Sequence, residues 1–261
     1  MTVSPMPRAE ASAAARVIAA LPVLVAAVGV ALLASGMIAV GVALLLVGVA
    51  VGLLGRRIGS PERLAASVGG RAAVPAKDAR LVNLAEGLGV ALGVPVPELR
   101  VIDDPAPNAI ALGSSPSRTV LACTTGLLDL LDRMELEGLL AHELTHVKRG
   151  DVARAASATR SLGLFAALAG GPARLLGRLA GTERESLADL QAVGVTRYPP
   201  GLASALEKIA AAPSVRPAGL DRTTARLTAA LWCAPLEECR TASSRSGALT
   251  VAERAAALRE L

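Results

Sequence analysis

The chain has only two histidines among its 261 residues, and they stand four apart with an acid between them: His142-Glu143-Leu144-Thr145-His146. On a helix, positions i and i+4 share a face, so both imidazoles can reach one ion. Zinc accepts neutral imidazole nitrogen and carboxylate oxygen, and a catalytic zinc keeps one position open for water. Glu143, one residue after the first histidine, is placed to take a proton from that water as general base. Two histidines scattered at random over this length fall four apart roughly once in 130 trials, and requiring the glutamate lowers that to roughly one in a few thousand. A closed structural zinc site would want four ligands, and no cysteine lies nearby. Cys123, Cys233 and Cys239 are too few and too far apart for a disulfide scaffold or a zinc ribbon.

With no histidine left, a third ligand has to be a carboxylate or a distant cysteine. The stretch Thr182 to Asp189 offers Glu183, Glu185 and Asp189. Glu185 and Asp189 are an i, i+4 pair, so one can bind the metal while the other orients a ligand histidine through its second ring nitrogen. Spacing does not choose among the three acids, and a solvated helix face would carry the same residues.

These side chains need elements to hold them. Arg133 to Arg149 reads as a strong helix bearing the histidine pair. Upstream, Lys77 to Leu92 repeats leucine at helical spacing and is stopped by Gly93 to Pro97. Three short strands are expected, Glu98–Ile102, Asn108–Leu112 and Thr119–Cys123, the last two joined by turn chemistry at Gly113 to Ser117. After about residue 153 the chain reads helical, broken at Gly170-Gly171-Pro172, at Tyr198-Pro199-Pro200-Gly201 and at Ala234-Pro235. Residues 58–76, with Ser60-Pro61, Gly69-Gly70 and Pro75, read as a linker.

The composition is 52% hydrophobic and 19% charged, and the excess sits at the N-terminus. No charged residue lies between Arg16 and Arg56. That run is too long for one untilted span of about 20 residues and suits two short ones, about 17–34 and 37–54, broken at Ala34-Ser35-Gly36. Arg8 and Arg16 precede it and Arg56, Arg57 and Arg63 follow. Both flanks therefore belong on the cytoplasmic side, which two spans allow. A cleaved signal peptide would leave the second apolar run unexplained. Disorder is excluded by the hydrophobicity. Nucleic-acid binding is not supported, because the net +5 is spread along the chain and Phe165, Tyr198 and Trp232 form no stacking platform.

His142-Glu143-Leu-Thr-His146-Val-Lys-Arg-Gly-Asp151, followed by Arg184-Glu185-Ser-Leu-Ala-Asp189, resembles the HtpX and CAAX prenyl protease family of membrane-bound zinc metallopeptidases. Pro107-Asn108-Ala109-Ile110-Ala111-Leu112-Gly113 is similar to that family's strand motif, and Pro200 to Ile209 to its helix after the third ligand. The resemblance covers about residues 60–210. It implies one zinc per chain held by His142, His146 and Glu185, with Asp189 orienting a ligand. It implies a peptide substrate lying extended beside Asn108, Ala109, Ile110 and Ala111. The implied fold is α+β and mainly helical, a zincin-type domain with a small antiparallel sheet behind a transmembrane hairpin. The division expected is 1–57 anchor, 58–76 linker and 77–261 zinc domain.

Two departures from the family pattern stand out. Where HtpX-type members carry two further membrane segments, Ser161 to Pro172 is too short to span, and 161–179 reads as an interfacial helix or core. The family's C-terminal His-Pro followed by Glu-Arg is represented either by Ala234-Pro235 with Arg240 or by Ala248 with Glu253-Arg254, the latter preferred, and neither register contains histidine. Arg254 is thereby expected at the reaction centre, with one donor to the developing oxyanion missing. The expected function is a zinc endopeptidase in the inner membrane with its catalytic domain cytoplasmic. The alternative is an inactive zinc- and peptide-binding membrane adaptor of the same fold. A structural membrane protein with an incidental motif would bind no stoichiometric zinc. Quality control of membrane proteins and trimming of lipidated peptides are both open by analogy.

Overall fold

A helical hairpin precedes a layered unit in the computed structural model, which describes residues 9–58, 60–155, 159, 184–212, 217, 219–229, 231–234, 236 and 249–261. Within the hairpin, side chains are described at 20, 22–54 and 57. Helix α1 spans Ala9–Ala34 and α2 Ile38–Ile58, with the break at the expected Ser35-Gly36. Both helices extend beyond the expected bounds, because alanine and arginine favour helix as well as leucine does.

The two helices touch backbone to backbone. A Cβ added at Gly29 would stand 2.8 Å from the Gly41 carbonyl oxygen, and one at Gly41 would stand 2.7 Å from that of Gly29. Larger apolar side chains point away: Leu24, Ile38, Leu46 and Leu53 are each more than half exposed. Among the described side chains, which cover 22–34 of α1 and 38–54 of α2 without a gap, no helix is long and apolar enough to cross a membrane.

The expected linker is folded. Helix α3, Pro61–Val68, is capped by the Ser60 hydroxyl accepting from the Arg63 N–H, and it buries Leu64, Ala65 and Val68. Strand β1, Arg71–Ala72, follows. The prolines and glycines read as linker signals mark the ends of these short elements. Proline suits a helix's first turn, and Gly69 closes α3 at φ 74°.

Helix α4 (Pro75–Leu92) leads to strands β2 (Glu98–Ile102), β3 (Ala109–Ser115) and β4 (Arg118–Thr124). The β3–β4 turn is confined to Pro116-Ser117, with a bulge between Gly113 and Ser115. The sheet order is β1-β2-β4-β3. It is mixed and not antiparallel throughout, because β4 lies between the other two long strands. There it pairs antiparallel with β3 and parallel with β2, Leu99 opposite Leu121 and Val101 opposite Cys123.

Strand alternation splits the core in two. Val101, Ala109, Ala111, Leu121 and Cys123 face one cluster, together with leucines of α4 and of α6 (Arg133–Arg149). Ile102, Ile110, Leu112 and Ala122 face the other, with α3 and Trp232. Short α5 (Thr125–Leu130) joins β4 to α6. Beyond residues 156–158 and 160–183, which are outside the described residues and include the 161–179 segment, come α7 (Arg184–Thr196), α8 (Pro199–Ala211), α9 (Arg222–Thr228) and α10 (Val251–Arg259). Helix α8 presses on α6 so closely that a Cβ at Gly138 would lie 2.8 Å from the Leu202 nitrogen.

Candidate metal centre

Helix α6 is the element the site is built on, and its ends are fixed by its own sequence. Asp132 accepts from the Glu135 N–H at 2.9 Å while the Glu135 carboxylate accepts from the Asp132 N–H at 2.8 Å, a reciprocal cap. Glu135 also takes hydrogen bonds of 2.7 Å from Ser204 and from Lys208 on α8. Gly150, at φ 71°, ends the helix in the left-handed conformation that glycine adopts without penalty. Leu136, Leu139, Leu140 and Leu144 are fully buried, so α6 runs through the core and carries His142, Glu143 and His146 with it.

The two imidazoles stand perpendicular, with Nε2 atoms 3.1 Å apart. Glu185, in the first turn of α7, brings Oε2 to 3.3 Å from His142 Nε2 and Oε1 to 3.5 Å from His146 Nε2. The outer nitrogens are tied to other acids: His142 Nδ1 lies 2.8 Å from Asp189, and His146 Nδ1 lies 2.9 Å from Asp151. Asp189 sits one turn after Glu185, on the same face of α7. If each Nδ1–H donates to its carboxylate, two lone pairs and a carboxylate meet in one small space with no proton of their own to share. That is the donor set of a catalytic zinc, two nitrogens and one oxygen. A tetrahedron with bonds of about 2.0–2.1 Å has edges of about 3.3–3.4 Å; the Nε2–Nε2 separation of 3.1 Å is near that edge, and Glu185 meets the two rings with different oxygens. Among the described residues this is the group that could hold a metal ion.

The electrostatics point the same way. Burial alone would lower the pKa of His142, but hydrogen bonds to the Asp189 and Glu185 carboxylates reverse this and raise it to about 9. The carboxylates thus favour a positive charge at His142. Burial raises the pKa of Glu143 despite the opposing influence of His142 and His146, moving it toward the range useful to a general base. Burial opposes ionisation of Glu185 as well, yet Arg184, His146 and His142 hold it well below the usual carboxylate range. Cys123 and Cys233 are held as thiols, both chiefly by burial, with Cys123 pushed up to about 12.

The remaining expected residues fall as follows. Arg254, on α10, reaches the site: Nε and Nη2 each donate to Asp189 at 2.7 Å, and Nη1 lies 3.1 Å from Glu185. Asn108 is buried and spends its side chain on the chain itself. Its Oδ1 accepts from Ala109 and Ala234, each at 3.0 Å, and its Nδ2 donates to the Ala234 carbonyl at 2.8 Å. The Ala109 carbonyl, at the outer edge of β3, accepts from the Cys233 N–H at 2.9 Å, and Ile110 bridges to Trp232. Ala111 faces the core beside α6. The edge expected to be free is therefore occupied at Ala109 and Ile110 by residues 232–233. Glu183, Cys239 and Arg240 lie outside the described residues.

Two features escaped sequence reasoning. Asp151 orients His146, and its signal was an acid placed directly after the helix-ending glycine. The strand-like contact of 232–234 had no periodic signal. Of the two registers weighed as alternatives, Ala234 meets β3 and Arg254 meets the acids of α7, while Arg240 and Ala248 lie outside the described residues.

Residues 75–212 match the model of peptidase family M48. The chain belongs to that family. Similar curated proteins are each named Protease HtpX homolog. That of Dictyoglomus thermophilum is 42% identical over 161 residues, 49% of this chain and 53% of that protein. That of Tropheryma whipplei is 37% identical over 180 residues, 56% of this chain and 62% of that protein. That of Ligilactobacillus salivarius is 35% identical over 167 residues, 49% and 57% respectively. The chain thus spans a little over half the length of the curated relatives it matches.

Proposed function

We propose that the chain is a membrane-bound, zinc-dependent endopeptidase of the HtpX kind, with residues 77–261 forming the catalytic domain. The observation that carries this is the convergence of the two Nε2 atoms and the Glu185 carboxylate, beside a buried Glu143. His142, His146 and Glu185 would hold one zinc, which when bound supplies Lewis-acid polarisation of the scissile carbonyl and a reactive water at neutral pH. Glu143 takes the proton from the attacking water and passes it to the leaving amine. Asp189 and Asp151 fix the tautomers of the two imidazoles, keeping each Nε2 available as a ligand. The peptide lies extended along β3 at Asn108, Ala109, Ile110 and Ala111, exchanging the Cys233 hydrogen bond at Ala109 for one of its own.

The hairpin is the membrane anchor in this reading. At 1.5 Å per residue the uncharged parts of α1 and α2, 17–34 and 38–54, run about 27 and 26 Å, a little short of a hydrocarbon core of about 30 Å. Their outward faces carry valine and leucine, and basic residues flank both ends of the uncharged run, which supports a domain on the cytoplasmic side of the inner membrane. Quality control of membrane proteins is the role this placement suits.

A second reading, an inactive adaptor that binds zinc and peptide, is favoured by one observation: residues 232–234 already occupy the β3 edge. Casein cleavage and zinc content in detergent, wild type against Glu143→Ala, separate the two. The peptidase reading expects one zinc in both proteins and cleavage reduced about a hundred- to ten-thousandfold in the variant. Equal cleavage by both would overturn it, and one bound zinc without wild-type cleavage supports the adaptor.

A further inference from the structure

Arg254 was expected to act on the substrate, and its surroundings give it other work. It is 3% exposed, yet it lies at the centre of a group of acids. Nε and Nη2 are taken by the two oxygens of Asp189, and Nη1 faces Glu185 Oε2. All three nitrogens are thus committed to carboxylates of α7. Asp189 in turn holds His142 Nδ1, so one planar guanidinium touches Glu185 directly and reaches His142 both through a shared carboxylate and by Nη2, 3.4 Å from Nδ1.

The charge balance explains why such a residue is needed. Glu143, Glu185, Asp189 and Asp151 crowd a largely buried site, and like charges at this spacing repel. A fork with fixed geometry can pair with two carboxylates and orient both, whereas a lysine ammonium is a point charge without that geometry. His146 has a parallel arrangement, Asp151 held by Arg149 and Arg154, but those arginines are more open to solvent, their side chains 24% and 63% exposed. Screening makes that side the weaker support.

We infer that Arg254 is a positioning residue that sets metal affinity, by holding Glu185 and the Asp189–His142 pair in ligating geometry before an ion arrives. This rests on the zinc site proposed above, but it is read out without substrate. The experiment measures zinc dissociation constants for the full chain in detergent, by competition with a chromogenic chelator. The proteins are wild type, Arg254→Lys, Arg254→Gln and, as a control on α10, Arg259→Gln, whose guanidinium pairs with exposed Glu207. Loss of such a ligand-orienting group typically weakens metal binding about 10- to 100-fold. That weakening is expected in both Arg254 variants, with cleavage recovering as free zinc is raised, and no change is expected in Arg259→Gln. An unchanged zinc constant with cleavage lost at every zinc concentration would overturn the inference and return Arg254 to the substrate. Equal weakening in Arg259→Gln would overturn it too, by assigning the effect to docking of α10. Lysine keeps the charge without the fork, so it separates geometry from charge if glutamine unfolds the domain. Absence of cleavage in wild type would count against the peptidase reading and leave the affinity comparison intact.

Discussion

In the hairpin the smallest residues face inward and the largest outward. Gly29 and Gly41 meet at the seam while Leu24, Leu46 and Leu53 stand exposed. After residue 60 the order reverses: Leu136, Leu139, Leu140 and Leu144 are sealed inside, and the buried acids Glu135, Asp151 and Asp189 are met by basic partners. In water, burial of leucine drives folding. In lipid there is no such drive between helices, so small residues that let backbones approach replace it. The two regions therefore use leucine and glycine in opposite roles, an inversion that the membrane-anchor reading proposed above would account for.

The comparison can be broken by substituting the same residue type in both places. Leu139→Ala, beneath the histidine pair, should cost about 2–5 kcal/mol in denaturant unfolding, whereas Leu46→Ala on the outside of α2 should leave the unfolding midpoint in detergent unchanged. Similar losses at both positions would mean that the outer face of the hairpin is packed against protein. Next in size, Gly41→Leu drives a side chain into the Gly29 carbonyl and should lower hairpin stability by about 1–3 kcal/mol, read as a shift in thermal unfolding in detergent. Zinc affinity is expected to stay at the wild-type value, and its loss would show that the hairpin and the site are coupled.

A further test concerns the charges allowed inside. Burial disfavours the Glu135 carboxylate, but Lys208, Ser204 and the Asp132 N–H outweigh it and hold its pKa below the usual value. The folded-state pKa being the lower one, its contribution is full above the ordinary carboxylate range and is lost as pH falls through that range toward the lowered value. Glu135→Gln should remove about 1–3 kcal/mol at neutral pH and flatten the acid side of the stability profile. An equally steep acid limb in the variant would rule Glu135 out as its source. The smallest expected effect is Asn108→Ala, about 1 kcal/mol for hydrogen bonds partly replaced by water, measured by urea unfolding.

Legibility in the sequence followed how local each signal was. The break at Ser35-Gly36, the bounds of α6 and of β2, and the histidine pair are written in a few adjacent residues, and they stand where the sequence placed them. Helix α3 was passed over because Ser60-Pro61 and Gly69-Gly70 signal chain breaks, although they serve as the ends of an eight-residue helix. The parallel pairing of β2 with β4 left no trace, since a strand's own residues do not say which neighbour it takes. Arg254 could be brought to the site by resemblance, but its commitment to Asp189 and Glu185 depends on how α7 and α10 pack. Asp151 was in plain view five residues past His146, without a rule to single it out.

One consequence concerns β3. A strand at the rim of a sheet offers unpaired N–H and C=O groups that any other extended chain can join, including a second copy of the same molecule. Residues 232–234 take that place, with Trp232 buried in the second core cluster and Asn108 fastened to Ala234. A nick in the chain just before Trp232 would free this stretch and leave a sticky rim, so proteolytically clipped protein should self-associate while intact protein stays dispersed. Light scattering before and after limited proteolysis would register the change.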